Sequence, residues 1–245
     1  MTEPSDKTAP PPGPAVSAPA RVVGAFFSPV STFESIAARP GFLLPILLWT
    51  AASLLVTSFL LPKIDFDRMI RTSLEKRGQT VPEERIQSIV ARQKRMAPVL
   101  YNVIGAVSPA LICLLVTLVY WASFKAFGWD FGFRQGFGAT AHAFLPGVLG
   151  AFVLLAILTQ QETVDPTAMG DLLRSNLGFL VDKKSSPALH SLLESLDLFS
   201  LWSLVLLSIG YAAAARVSKK SSAGVVFTIW ALYVLGKAGL SALLS

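Results

Sequence analysis

Long uncharged stretches alternate with charged segments along the whole chain. Four stretches contain no Asp, Glu, Lys or Arg, and a fifth, at the C-terminal end, contains only Lys237. A helix needs about 20 apolar residues to cross the hydrocarbon core of a bilayer, and each stretch is close to or above that length. Because lipid offers the backbone no hydrogen bonds, such runs must be helical. The pattern predicts an all-α integral membrane protein with five membrane-spanning helices, at residues 42–62, 98–124, 137–159, 197–215 and 222–244.

An amphipathic pattern precedes the first span. Ser28 or Ser31 can cap a short helix there, and Pro40 ends it. Phe33 and Ile36 then fall on one face of that helix. We expect this helix to lie on the membrane surface, with the apolar face in lipid.

The polar segment between spans one and two predicts two further amphipathic helices. Asp65 can cap the first of them and Gly78 can close it. Thr80 with Glu83 has the spacing of a capping box for the second. We expect both helices to lie at the interface with their basic side chains directed to lipid phosphates. A docking surface for another protein is the alternative interpretation.

The first 20 residues have a different composition from the rest. They contain six prolines and no continuous apolar core, so they are not a signal peptide. Such a segment buries too little apolar surface to offset its ordering entropy. The sequence thus predicts a disordered Pro/Ala-rich tail at 1–20 and one five-span membrane domain at 21–245.

The overall composition supports the membrane assignment and narrows the class of partner. Hydrophobic residues make up 53% of the chain and charged residues 15%, against about 25% charged in a soluble domain. The formal net charge of +6 lies in the connecting segments, where anionic lipid headgroups are the natural partners. No basic stripe with interleaved aromatic residues is present, so nucleic acid is not expected as a partner.

Enzymatic signatures are missing from the sequence. It has no His-Glu-x-x-His, no Gly-x-Ser-x-Gly, no phosphate loop and no Cys-x-x-Cys. The two histidines are far apart, and the single cysteine, Cys113, lies in the middle of span two. A metal site needs three or four ligands, which the spans do not supply. We therefore expect no enzyme, no cofactor and no metal.

Two ionisable residues inside spans are candidates for function. His142 lies in span three, where an intramembrane ionisable group is by default a functional hypothesis. The alternative is a neutral imidazole that hydrogen-bonds a neighbouring helix, for example at Asn102 or a Ser hydroxyl. Lys237 lies in span five, where its long side chain can carry the ammonium to the membrane interface. The alternative is that Lys237 binds a substrate or transfers a proton.

Span three also carries small residues at every fourth position and a proline. Ala139, Ala143, Gly147 and Ala151 share one face, on which another helix can approach closely. Packing within the chain is one interpretation of this stripe, and homodimerisation is the other. Prolines inside spans one, two and three predict kinks, at Pro45, Pro109 and Pro146.

Charge counts do not settle the orientation. With five spans and a cytoplasmic N-terminus, the cytoplasmic side carries eight Lys and Arg residues and the other side twelve. The positive-inside rule therefore favours the reverse orientation, although the polar segment between spans one and two alone creates that preference.

The order of these features resembles the Yip family, named for Ypt/Rab-interacting proteins, and in particular its prokaryotic-looking members. The resemblance lies in the entry Phe27–Pro40 (FSPVSTFESIAARP), the five spans and the polar segment after the first of them. It continues with Leu196–Trp202 (LDLFSLW) at the start of span four, and with Ile209–Tyr211 (IGY) before a short basic turn. It covers the chain from about residue 21 to its end.

The resemblance implies a cytoplasmic N-terminus. For eukaryotic members it implies a role in vesicle traffic and membrane shape through small GTPases. This chain departs from those members in its very short tail, which argues against a small GTPase as partner. We expect a multi-pass protein of the inner or plasma membrane that organises the bilayer or binds a second copy or another membrane protein. A small transporter or channel that uses His142 and Lys237 is the alternative.

Overall fold

The computed structural model describes residues 16–164 and 172–243. Five of its helical segments are long and apolar enough to cross a membrane, which confirms the predicted all-α, five-span fold. The helices of the described residues in chain order are α1 (Ala18–Phe27), α2 (Pro29–Ala38), α3 (Leu43–Leu60), α4 (Phe66–Lys76), α5 (Glu83–Ala126), α6 (Phe133–Ala143), α7 (Leu145–Thr159), α8 (Pro187–Ser195), α9 (Leu198–Ala215) and α10 (Lys219–Leu243). The spans are α3, α5, α6 together with α7, α9 and α10.

The N-terminal part of the chain is a helical hairpin. Ser17 caps α1 by accepting a hydrogen bond from the backbone N–H of Ala20, so the helix begins inside the segment predicted as tail. The rest of that predicted tail, residues 1–15, lies outside the described residues. Helix α2 begins after Ser28 with Pro29 as its first residue, so Ser31, the other predicted cap, lies within the helix.

The apolar face of helix α2 packs against protein and not against lipid. Phe33 and Ile36 are fully buried, because α2 packs against α9 and α6. In contrast, the apolar residue Phe27 at the end of α1 points outward, with 82% of the residue exposed. The ring of Phe26 contacts Trp202 of α9 at a centroid distance of 5.5 Å. The hairpin is therefore part of the helix bundle.

Helix α5 is much longer than its span. Its 44 residues are about 66 Å long, roughly twice the thickness of a bilayer core. The predicted capping box at Thr80 and Glu83 does not form, because the helix begins after Pro82 without a side-chain cap. The second predicted interfacial helix is instead the first part of α5, continuous with span two. The first predicted helix, α4, has the predicted cap, because Asp65 accepts a hydrogen bond from the backbone N–H of Arg68.

Span three is interrupted at Phe144. It consists of two helices, α6 and α7, separated by a single turn residue. Pro146 lies in the first turn of α7 and cannot donate a hydrogen bond back into α6, which explains the interruption. Pro45 lies in the first turn of α3, where the N–H has no intrahelical acceptor in any case, so it gives no reason for a kink. Pro109 lies inside α5 without interrupting it.

Three apolar clusters hold these elements together. The largest one lies where α2, α5, α6 and α9 meet, and Phe33, Phe124 and Tyr211 are its largest fully buried side chains. A second one joins α4 and the start of α5 to the ends of α3 and α7, through residues such as Phe66 and Leu158. A third, smaller one joins α1 to α3 and α7. The start of α5 is thus anchored to the bundle by its own core.

Candidate functional site

His142 is buried in α6 and bonds its own helix. Only 2% of the residue is exposed, and Nδ1 lies 2.8 Å from the carbonyl oxygen of Gly138. Since a carbonyl can only accept, Nδ1 carries the proton and donates it. The predicted partner on a neighbouring helix is wrong, because Asn102 donates to the backbone carbonyl of Pro98 one turn earlier in its own helix.

Arg21 is a buried cation that sequence reasoning treated only as the start of ordered structure. It points inward from α1 with 7% of the residue exposed. Its Nη1 donates to the carbonyl oxygen of Arg39 at 2.7 Å, whereas Nε has no hydrogen-bond partner among the described residues. The four-residue spacing of Arg21 and the fully buried Ala25 could have revealed the inward direction, because such residues share a helix face.

A buried hydroxyl cluster links three spans near His142. Thr117 of α5 donates to Thr140 of α6 at 3.0 Å, and Thr140 lies 2.9 Å from the hydroxyl of Tyr211 in α9. Each hydroxyl therefore has a partner, which is the condition for burying polar groups in an apolar bundle. These contacts join distant parts of the chain, so no local sequence pattern predicts them.

The small-residue stripe of span three is divided by the interruption at Phe144. Ala139 and Ala143 are buried in α6, and Ala139 faces Gly210 of α9. Gly147 and Ala151 lie in α7 and line a cavity. The stripe thus has two environments, a helix contact inside the chain and an open space.

Lys237 meets a carboxylate at the end of its span. Its Nζ lies 2.8 Å from Oε2 of Glu194, which belongs to α8. The hydroxyl of Ser241, one turn later, donates to the carbonyl oxygen of Pro187. Both contacts fasten α8 to the last turns of α10. His142 and Lys237 lie on different helices with separate partners, so the structure does not bring these two candidates together.

A cavity of about 730 Å³ lies between α5, α7, α9 and α10. Its walls are mostly apolar, and Asp197 marks one end. Asp197 caps α9, because Oδ1 accepts a hydrogen bond from the backbone N–H of Ser200 at 2.8 Å. Its other oxygen accepts a hydrogen bond from Ser175.

Known proteins resemble the chain over most of its length. The family model of the Yip1 domain matches residues 23–240. A relative in Bacillus subtilis (strain 168), membrane protein YknW, is 25% identical over 220 residues, which cover 86% of this chain and 87% of the relative. No solved structure matches the chain. The match extends from the α1–α2 hairpin to the last turns of α10, and the chain belongs to the Yip1 domain family.

Proposed function

We propose that the protein is a non-enzymatic membrane organiser that binds a protein partner on an arm outside the bilayer. The arm consists of α4 and the first turns of α5, residues 66–95. The observation that carries this proposal is the length of α5, whose 44 residues exceed what span two needs by more than 15. The helix therefore continues beyond the hydrocarbon core as a charged extension.

The arm is held in one shape by an ionic hub. Arg71 of α4 lies 2.7 Å from Asp67 on its own helix and 2.6 Å from Glu83 at the start of α5. The hydrogen bonds to Glu83 and Asp67 raise the pKa of the Arg71 guanidinium above its usual range. Arg71 thus remains a cation at every accessible pH and connects the two helices. A preformed surface loses less conformational freedom on binding, which favours recognition of a partner.

The arm is basic overall, with eight Lys and Arg residues against four Asp and Glu residues at 66–95. Arg85, Arg92, Lys94 and Arg95 all lie on the exposed surface of α5. Their charges suit an acidic segment of a partner protein, and they lie on a folded element whose apolar side is already buried. The function that the family resemblance implies, membrane organisation through protein contacts, agrees with such a surface.

Site-specific photocrosslinking in living cells tests the proposal. A photoreactive amino acid replaces Glu84, near the tip of the arm, or Leu232, which is exposed in the middle of α10 as the matched control. We expect the Glu84 position to give a discrete protein adduct that weakens when the four basic residues are changed to Gln. The Leu232 position should give lipid adducts. Adducts to lipid alone at both positions would contradict a protein partner at the arm.

A further inference from the structure

The cavity lies between the second part of span three and the end of α10. Helix α6 packs against α5 and α9, whereas α7 packs against α3 and α9. On the other side, the last turns of α10 are held by α8 through the Lys237–Glu194 pair. The space lined by α5, α7, α9 and α10 has a volume of about 730 Å³, within the range of about 300–1,000 Å³ that is typical of small-molecule sites.

The cavity opens sideways toward lipid. Leu115 of α5 and Tyr233 of α10 line it, and they are themselves 53% and 66% exposed. Between these two helices the medium outside the protein is the hydrocarbon of the bilayer, because both belong to spans. At the inner wall, a Cβ atom placed on Gly147 would meet no atom within 4 Å. An apolar chain can therefore enter from the side and reach the glycine.

One end of the cavity carries a negative charge. The carboxylate of Asp197 lines the cavity there. Lys237, one helical turn after the lining residue Tyr233, is neutralised by its partner Glu194. Such an end disfavours an anionic headgroup and complements a headgroup that carries an ammonium beside its phosphate.

We propose that the cavity binds one phospholipid with a zwitterionic headgroup, with an acyl chain against Gly147 and the headgroup near Asp197. This site is separate from the arm, so its test is independent of the proposed protein partner.

Native mass spectrometry of the full chain tests the lipid site. The protein is extracted gently from bilayers that contain phosphatidylethanolamine and phosphatidylglycerol, and the retained lipid is identified by mass. Gly147→Phe fills the cavity from its wall. Gly236→Phe is the matched control, because Gly236 also has open space around it but lies outside the cavity lining.

We expect the unaltered protein and Gly236→Phe to retain one phosphatidylethanolamine, and Gly147→Phe to retain at least tenfold less. Gly147→Leu, which fills the cavity with a smaller side chain, provides the same comparison if the Phe variant does not fold. Circular dichroism verifies the helical content of each variant. Equal retention in all variants, or retention of phosphatidylglycerol instead, would overturn the proposal.

Discussion

At the scale of single residues, Gly210 decides how closely α9 can approach its neighbours. A Cβ atom at this position would lie 2.9 Å from the ring of Phe33 in α2 and 3.0 Å from the Cβ of Ala139 in α6. The first distance is shorter than real Cβ contacts, and the second is tighter than nine in ten of them. The glycine thus lets three helices meet, and the next residue, Tyr211, fills the core beside it with no exposed surface.

Gly210→Ala should therefore destabilise the bundle. The added methyl group forces the backbone or the Phe33 ring to move, and overpacking of this kind costs about 1–3 kcal/mol. Gly224→Ala in α10 is the control, because a Cβ there would meet no atom within 4 Å. That change should be neutral or stabilise the helix by about 0.5–1 kcal/mol. Reversible unfolding in mixed micelles measures the free energy of unfolding of both variants. Equal effects of the two substitutions would show that the close contact of α9 at Gly210 is unimportant for stability.

The residue patterns predicted small contact surfaces but not the partners. The four-residue spacing of Ala139 and Ala143 indicated a close helix approach, and the structure supplies such an approach at Gly210. Spacing within one helix carries no information about which other helix is near. For the same reason, the hydrogen bond from His142 to Gly138 and the burial of Arg21 needed the folded chain.

At the scale of elements, apolar length and helix caps were predictable, and the environment of each face was not. The five spans follow from bilayer thickness, and Asp65 caps the helix that it was predicted to cap. The amphipathic pattern predicted correctly which face of α2 is apolar. It could not predict what covers that face, because lipid and the protein interior are equally apolar. Phe33 and Ile36 are buried by α6 and α9, which sequence periodicity cannot distinguish from a lipid surface.

The arm gives a test at the scale of elements. Arg71→Gln removes the cation that connects Asp67 with Glu83, so α4 should separate from α5 more often. Limited proteolysis should then cut the connection at residues 77–82 several times faster. Arg68→Gln is the matched control, because Arg68 is an exposed arginine on the same helix whose side chain does not take part in the hub. Equal cleavage of both variants would mean that the apolar cluster alone holds the arm.

At the scale of the whole molecule, five spans divide the connections between two sides. The α1–α2 hairpin and the turn between α9 and α10 lie on one side, and the arm and α8 lie on the other. The excess of basic residues beyond span one belongs to the arm, which is folded and partly neutralised by Asp67 and Glu83. Charges in a folded element such as the arm are weaker evidence for the orientation of the chain in the membrane than charges in a short loop.

Cysteine accessibility decides the orientation and the number of spans together. The only native cysteine, Cys113, is buried and is first replaced by Ala. Single substitutions then follow at Arg77 and Lys184 on the arm side and at Ser218 on the hairpin side. With a cytoplasmic N-terminus, as the family resemblance implies, a membrane-impermeant reagent applied to intact cells should label Arg77→Cys and Lys184→Cys but not Ser218→Cys.

Permeabilised cells are the control for this experiment, because all three exposed positions should react there to the same extent. The reverse pattern in intact cells would place the arm in the cytoplasm, as the positive-inside rule favours. In that case the acidic partner expected at the arm would have to be cytoplasmic. Different labelling of Arg77→Cys and Lys184→Cys would contradict the five-span arrangement itself, since an even number of spans separates these positions.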